Sequence, residues 1–444
     1  MANGGSTKQL KRVLGFGDLM GAAVGQIIGA GIMTLLGSAM LMTGRSVPLA
    51  LLISAVITIC QCLPLIFISG TVRVRGGRYT TVAMLAGKKI AGAQTIIFIF
   101  SNLSLSMYAL SFASYFVSLL GLGNEKVVAL IILTLFFLLN ILGIDKFAKA
   151  QNIIVTCLVV ALGLFVVLGV PKVDFSTYYG NDTFMTGGMI GLFQAGGLLT
   201  FATGGASAIL NLSAEAKNPT RDIPVVMIIA TLFVAVLYAA IAVVAAGVLP
   251  LDVVAGKNLS LVAEHIFNRP LYVFFMVCGA GFALISTLNA QFAWAPKPTM
   301  QACDDGWLPS GLVKLTKWNT PVIILGILYA IAVVCIITGL SISILGSMSV
   351  IATGIMSFVI NASVWRLPQV VPEEWSVSRF KVSNGMLKVI SVIAAVSSVF
   401  NIYLNASRLT SNLLILNVVV ITGAFIFGVI RSKKAHVEIS YEKT

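Results

Sequence analysis

Charge is scarce in this sequence. Of 444 residues only 10% are Asp, Glu, Lys or Arg, while 58% are hydrophobic and mean hydropathy is +1.01. A soluble domain carries roughly 25% charged residues, so a water-soluble globule is excluded. Histidine is nearly missing, with only His265 and His436 in the chain. The six cysteines, Cys60, Cys62, Cys157, Cys278, Cys303 and Cys335, form no CxxC pair. They are expected to be small packing residues with no disulfide or metal role. No acid or base falls in the middle of a long apolar run, and intramembrane ionisable residues are the usual proton carriers. A built-in proton relay is therefore not expected. The same scarcity disfavours a membrane enzyme, which needs a nucleophile, base or metal ligands inside the bilayer. No carbonyl-filter motif or charged ring suggests a channel. Met1–Leu10 is polar and the first apolar run is too long for a signal-peptide core, so no cleavable leader is expected. No soluble signalling domain is expected either, which leaves a receptor on this scaffold as a minor alternative.

What is present is hydrophobic length. Runs of about 20 apolar residues recur, matching a hydrocarbon core of ~30 Å. Twelve are predicted to cross the bilayer. The first six are Gly15–Met42, Val47–Gly70, Ile90–Leu119, Lys126–Leu142, Ile153–Val170 and Met189–Leu212. The others are Val225–Leu249, Tyr272–Ala295, Pro321–Gly339, Ile342–Val364, Leu387–Tyr403 and Leu413–Ile430. Tyr79–Lys88 is expected to form a short interfacial helix, and Ala255–Phe267 a partly helical outer segment. The net charge of +14 invites a nucleic-acid reading, but its distribution argues otherwise. When loops alternate between sides, 23 of the 29 lysines and arginines fall on one side. They include Lys8, Lys11, Arg12, Arg73, Arg75, Arg78, Lys146, Lys149 and Lys443. The positive-inside rule then puts both termini in the cytoplasm of a multi-pass protein in the plasma or inner membrane. The expected partner is the lipid bilayer rather than nucleic acid, and no motif sets an oligomeric state.

Two runs stand out for glycine. The first holds Gly21, Gly25, Gly29 and Gly31; the sixth, with its lead-in, holds Gly187, Gly188, Gly191, Gly196, Gly197, Gly204 and Gly205. They stand five apart. Gly-interrupted helices at matching places in two halves point to a midplane site in an inverted repeat. Close helix packing through small residues explains glycines equally well, so local sequence must decide.

Gly25-Gln-Ile-Ile-Gly-Ala-Gly-Ile32 resembles the G-x-I-I-G-S/A-G-I/V signature of amino acid/polyamine/organocation permeases. Gly76-Gly77-Arg78-Tyr79 is similar to the G-G-x-Y that follows their second span, and Glu215–Pro224 to their E-A-K-N-P-x-R-D-I-P block. Ser286-Thr-Leu-Asn289 with Asp305-Gly-Trp-Leu-Pro309 resembles the eighth span and its loop. The four blocks occur in family order and at family spacing, over about residues 15–365.

The resemblance implies an all-α protein of LeuT type, with twelve transmembrane helices. A cytoplasmic N-terminus (1–14) would precede a ten-helix core (15–366) made of inverted repeats 15–170 and 188–366. A linker (367–385), two further helices (386–431) and a cytoplasmic tail (432–444) would follow. Spans 1 and 6 would be unwound around the substrate. Physical chemistry agrees with that arrangement, because broken helices offer backbone dipoles to a zwitterion without burying a fixed charge. By resemblance the N–H groups of Gly29, Ala30 and Gly31 would hold a carboxylate. The carbonyls of Ile27, Phe201 and Gly204 would take an amine, and Thr203 and Gly205 complete the site.

The sequence also departs from the family. Where members often carry aromatics and an acid in the sixth span, this chain has Thr203, Ala206 and Ser207. Without the acid a cationic side chain loses its partner, so a neutral amino acid is the expected substrate. An organic cation or polyamine is the alternative. Aligning Lys149-Ala-Gln-Asn152 places Leu158 where some members keep a lysine. No cofactor is expected, apart from sodium as a possible coupling ion. Ser286, Thr287 and a first-span carbonyl such as Gln26 would then supply the hard oxygen ligands. Asp18, Glu215 and Arg221, with Lys217 and Asp222, are expected as inner-gate ion pairs. Some of Ser101, Asn102, Ser104, Ser106 and Tyr108 should line the pathway.

Overall fold

The structure, a computed structural model, describes residues 14–442 apart from 75–76, 122, 143–146, 214, 319 and 438–440. Lys8, Lys11, Arg12, Arg75, Gly76, Lys146 and Lys443 lie outside the described residues, as do the side chains of 147–152, Lys149 among them.

The chain is helical almost throughout, as lipid requires, because a helix satisfies its own backbone groups. Helix α1 (Phe16–Ile27) is followed by a π-helical turn (Gly31–Leu35) and α2 (Leu36–Thr43). After a reversal at Gly44 (φ 69°) come α3 (Val47–Thr71), α4 (Gly77–Ala86), α5 (Lys88–Ser101) and α6 (Ser104–Leu120). Then follow α7 (Glu125–Ile141), α8 (Phe147–Gly169) and two one-turn helices, α9 (Phe175–Tyr178) and α10 (Asn181–Phe184). Helix α11 (Gly188–Thr203) passes into a 3₁₀ helix (Gly204–Leu212), and α12 (Pro219–Gly247) follows. The short α13 (Leu251–Val254) and α14 (Ser260–Ile266) precede α15 (Arg269–Phe274), a π-helical stretch (Phe275–Gly281), α16 (Phe282–Trp294) and α17 (Pro296–Asp304). The chain ends with α18 (Val322–Thr338), α19 (Ile342–Ser363), α20 (Leu367–Val370), α21 (Pro372–Val377), α22 (Asn384–Ala406) and α23 (Ser411–Arg431).

Among the described residues nine helical segments are long and apolar enough to cross a membrane. One of them, Phe16–Thr71, spans 56 residues and contains the reversal at Gly44. Helices α7 and α18 are apolar but have only 17 residues each. The surface is inverted relative to a soluble protein. Val389, Val392, Val396 and Val399 form an exposed stripe on α22, while Gln94, Asn102, Gln291, Asn361 and Asn405 are buried. Apolar outside and polar inside is the pattern of a chain solvated by lipid. This is a multi-pass membrane protein.

Three features position the site. Leu14 bridges Ala216, which ties the entrance of α1 to the loop after the sixth run. A two-residue strand, β1 (Arg73–Val74), pairs antiparallel with β2 (Tyr441–Glu442) of the tail. Helix α22 packs against α19, α3 and α11, and its Asn401 and Asn405 reach Thr200 and the Gly197 carbonyl. The eleventh run is thus built into the wall of the first ten.

Candidate functional site

The first run breaks where its sequence is least suited to a helix. Helix α1 starts at Gly15, whose N–H donates to Asp18 Oδ2 at 2.9 Å. Asp18 therefore caps its own helix. The helix ends at Ile27, and Ile28 is extended at φ −81°, ψ 100°. Two β-branched residues followed by Gly-Ala-Gly weaken helix continuation at this point. The freed carbonyls are met from α12 and from the run's own next turn. The Tyr238 hydroxyl on α12 donates to the Ile27 carbonyl at 2.9 Å and faces the Gly29 backbone. The Thr34 hydroxyl donates to the Ala30 carbonyl at 2.7 Å. Tyr238 is fully buried, and no pattern in the sequence singles it out.

The sixth run does not unwind as expected. Gly204 still donates to the Thr200 carbonyl, and the chain tightens into nine residues of 3₁₀ helix. Runs of 3₁₀ longer than about four residues are uncommon, and one within a helix often marks a hinge. Close contact between the two runs accounts for Gly31 and Gly205. A Cβ on Gly31 would lie 2.3 Å from the Ala202 backbone, and one on Gly205 would lie 2.5 Å from the Gln26 carbonyl oxygen. Nothing stands within 4 Å of a Cβ on Gly204. Two backbones crossing this closely leave no room for side chains.

Beside the crossing lies a cavity of about 200 Å³. Gln26, Phe201, Gly204 and Gly205 line it, whereas Ile27, Gly29, Ala30, Gly31 and Thr203 are not among its lining residues. Thr203 turns to α3 instead, where its hydroxyl meets Ser54 at 2.8 Å and Thr58 at 2.7 Å. Phe201 faces Tyr108 with ring centroids 6.0 Å apart. Of the third-run polar residues, Ser101, Ser104 and Tyr108 reach the cavity. That run is interrupted at Asn102–Leu103, and Gln291 donates to Asn102 Oδ1 (3.0 Å) and Ser104 Oγ (2.7 Å) across the gap. A polar pair in two apolar runs was the available signal for this contact. A larger groove between α19 and α22, about 930 Å³, is lined by Val392, Val396 and Phe400. It belongs to the apolar exterior and offers a polar solute almost nothing.

Arg78 also lines the cavity. A search for charge within apolar runs passes over it, because it stands on α4, outside them. Gly77 opens α4 at φ 57°, and a Cβ there would lie 1.9 Å from Asn211 Oδ1, so only glycine allows this approach. Arg78 Nη2 then donates to Ser207 Oγ at 2.7 Å and Nη1 to Ser357 Oγ at 3.4 Å.

The other sequence blocks gather at the same end. Tyr79 donates to Asp305 Oδ2 at 2.5 Å and accepts from Trp307 Nε1 at 2.8 Å. Burial first, then the Asp305 carboxylate, push the Tyr79 pKa up. Glu215 pairs with Lys297 at 2.8 Å rather than with Arg221, which is exposed on α12. At the far side of α1, Thr287 Oγ1 donates to the Ala283 carbonyl (2.7 Å) and reaches the Gly25 carbonyl (3.4 Å). Ser286 Oγ donates to the Ala283 carbonyl at 3.0 Å. Gly25, not Gln26, supplies the first-run carbonyl here, since the Gln26 carbonyl faces Gly205.

A family described as "Amino acid permease" matches residues 14–426. The chain belongs to the amino acid permease family. This permease is 27% identical over 341 residues to the branched-chain amino acid permease BcaP of Bacillus subtilis, covering 71% of this chain and 72% of that protein. It is 25% identical over 340 residues to the methylthioribose transporter of the same organism, covering 71% and 72%. With the vacuolar cationic amino acid transporter 2 of Arabidopsis thaliana it shares 29% identity over 182 residues, covering 40% of the permease and 28% of the plant protein. The relatives are transporters and permeases.

Proposed function

We propose that this permease is a secondary transporter that moves an amino acid or similar small zwitterion across the cell membrane by alternating access. The observation that carries this reading is the polar cavity against the crossing of the first and sixth runs. In the proposal the chain makes twelve spans, ten of them in two inverted repeats, with both termini cytoplasmic. The substrate carboxylate engages the backbone N–H groups of Gly29–Gly31, and carbonyls around Ile27 and Gly204 take the ammonium. Tyr238 now holds the Ile27 carbonyl and faces Gly29, so substrate must compete with its hydroxyl or bridge to it. A ligand drives the cycle by binding the occluded state better than either open state.

The relatives' names span branched-chain amino acids, methylthioribose and cationic amino acids, so the side chain accepted is not set by family. Ser207, where an acid would serve a cationic side chain, instead meets Arg78. Cationic substrates are therefore disfavoured. A second part of the proposal concerns sodium as a co-transported ion. The Gly25 and Ala283 carbonyls with the Ser286 and Thr287 hydroxyls form a neutral oxygen cluster of the kind a hard cation takes. Uptake of labelled amino acids into proteoliposomes, with and without a sodium gradient, tests both parts. Lack of uptake or counterflow for any amino acid would overturn the first, and sodium-independent uptake the second.

A further inference from the structure

The cavity holds a charge that the protein does not balance. Arg78 alone is charged among its described lining residues, and its two hydrogen bonds go to the neutral hydroxyls of Ser207 and Ser357. A guanidinium has five N–H donors, so more than half of its capacity remains. Arg78 is partly exposed where it lines the cavity, so its remaining donors face a solute there. Among the described residues no carboxylate is brought against it.

Independent groups in the same wall are also unsatisfied. Gln94 is 2% exposed and its Oε1 has no hydrogen-bond partner, and the Trp294 Nε1–H has none either. Buried polar groups are seldom left so. Together they offer the cavity a further donor, and an acceptor for an ammonium. Position matters as well. Ser207, which anchors the guanidinium, lies two residues beyond Gly205, where the first run touches the sixth.

We propose that Arg78 makes this permease select amino acids whose side chain ends in a carboxylate, the glutamate and aspartate class, over neutral and cationic ones. This rests on the reading as an amino acid transporter and replaces the expectation of a neutral side chain. Arg78, two hydrogen bonds already made, would turn its remaining donors to the side-chain carboxylate of a ligand in this cavity. The competing explanation is mechanical: Arg78 only ties α4 to the sixth and tenth runs.

The test is uptake by the purified full-length protein in proteoliposomes, comparing L-glutamate with its near-isostere L-glutamine, and with L-leucine and L-lysine. Glutamate should be preferred over glutamine by at least about tenfold, as expected for pairing a charge against leaving it unpaired. Arg78→Gln should lower the ratio of glutamate to glutamine uptake by at least about tenfold. Arg78→Lys keeps the charge but gives up the planar fork, and should retain preference for glutamate. Preference for glutamine or leucine in the unaltered protein would overturn the proposal and leave the transporter reading standing. Equal loss of every substrate in both variants would show a structural tie and overturn it too. If no amino acid moved at all, both readings would fall. Should Arg78→Gln fail to fold, the unaltered protein's ratio and the lysine variant still decide.

Discussion

The two glycine-rich runs meet at one crossing but solve the same problem differently. The first turns extended at Ile28 and has the Ile27 and Ala30 carbonyls met by the Tyr238 and Thr34 hydroxyls. The sixth keeps its bonding and changes pitch at Gly204. An interrupted helix presents main-chain dipoles to a ligand, whereas a tightened one mainly redirects side chains. In the proposed mode the first run takes the substrate carboxylate, and the sixth supplies the Gly204 carbonyl to the ammonium with Phe201 and Ser207 lining the cavity.

The largest expected effect comes from forcing the two runs apart. In Gly205→Val the added Cβ meets main chain, 2.5 Å from the Gln26 carbonyl, and backbone cannot give way as a flexible side chain can. Overpacking costs about 1–3 kcal/mol even where side chains can shift. Uptake should fall to background while the protein still reaches the membrane. Gly29→Leu should do the same by striking Thr287, whose Oγ1 would lie 2.8 Å away. Normal uptake in either variant would remove the crossing from the transport path.

Next comes Tyr238→Phe. Losing the hydroxyl leaves the buried Ile27 carbonyl unmet, at about 1–3 kcal/mol. Melting in detergent should drop, and uptake should fall about tenfold, the equivalent of 1.4 kcal/mol. If melting drops while uptake is unchanged, Tyr238 stabilises the break without taking part in binding. If uptake rises, the hydroxyl competes with substrate.

How much of this was legible beforehand depends on the kind of signal. The apolar runs, the break at Gly29 and the convergence of the four blocks follow from hydropathy and local spelling. Tyr238 was hidden because one tyrosine in a uniformly apolar helix carries no periodic cue; only the three-dimensional crossing shows what it faces. Arg78 was visible as a basic loop residue, but its loop folds back as α4 beneath the cavity, and no spacing rule encodes that. The capping bond of Asp18 was not distinguished beforehand, because a carboxylate near a helix start suits capping and ion pairing equally well on paper. The unwinding expected in the sixth run failed for a related reason. Glycine permits interruption but does not compel it, and Gly204 donates to Thr200 in an ordinary helical conformation.

A smaller effect is expected at the far side of the first run. Thr287→Val keeps the shape and removes the hydroxyl that reaches the Gly25 carbonyl. If sodium is carried there, its stimulation of uptake should disappear while basal exchange persists within a few-fold. Unchanged sodium dependence would move the ion elsewhere.

The smallest effect should come from the neighbour of the most damaging position. Gly204 has φ −81° and open space where a Cβ would go, so alanine fits without strain. Replacing glycine at such a place stabilises by about 0.4–1 kcal/mol, chiefly by restricting the unfolded chain. Gly204→Ala should therefore raise the melting temperature slightly and leave uptake within about twofold of the original, since each 1.4 kcal/mol is tenfold. The pair then separates two explanations of the sixth run. If only close approach matters, position 205 is critical and 204 is not. If uptake collapses in Gly204→Ala while stability rises, the glycine is needed for movement. The change of pitch would then be the hinge about which this run bends during transport.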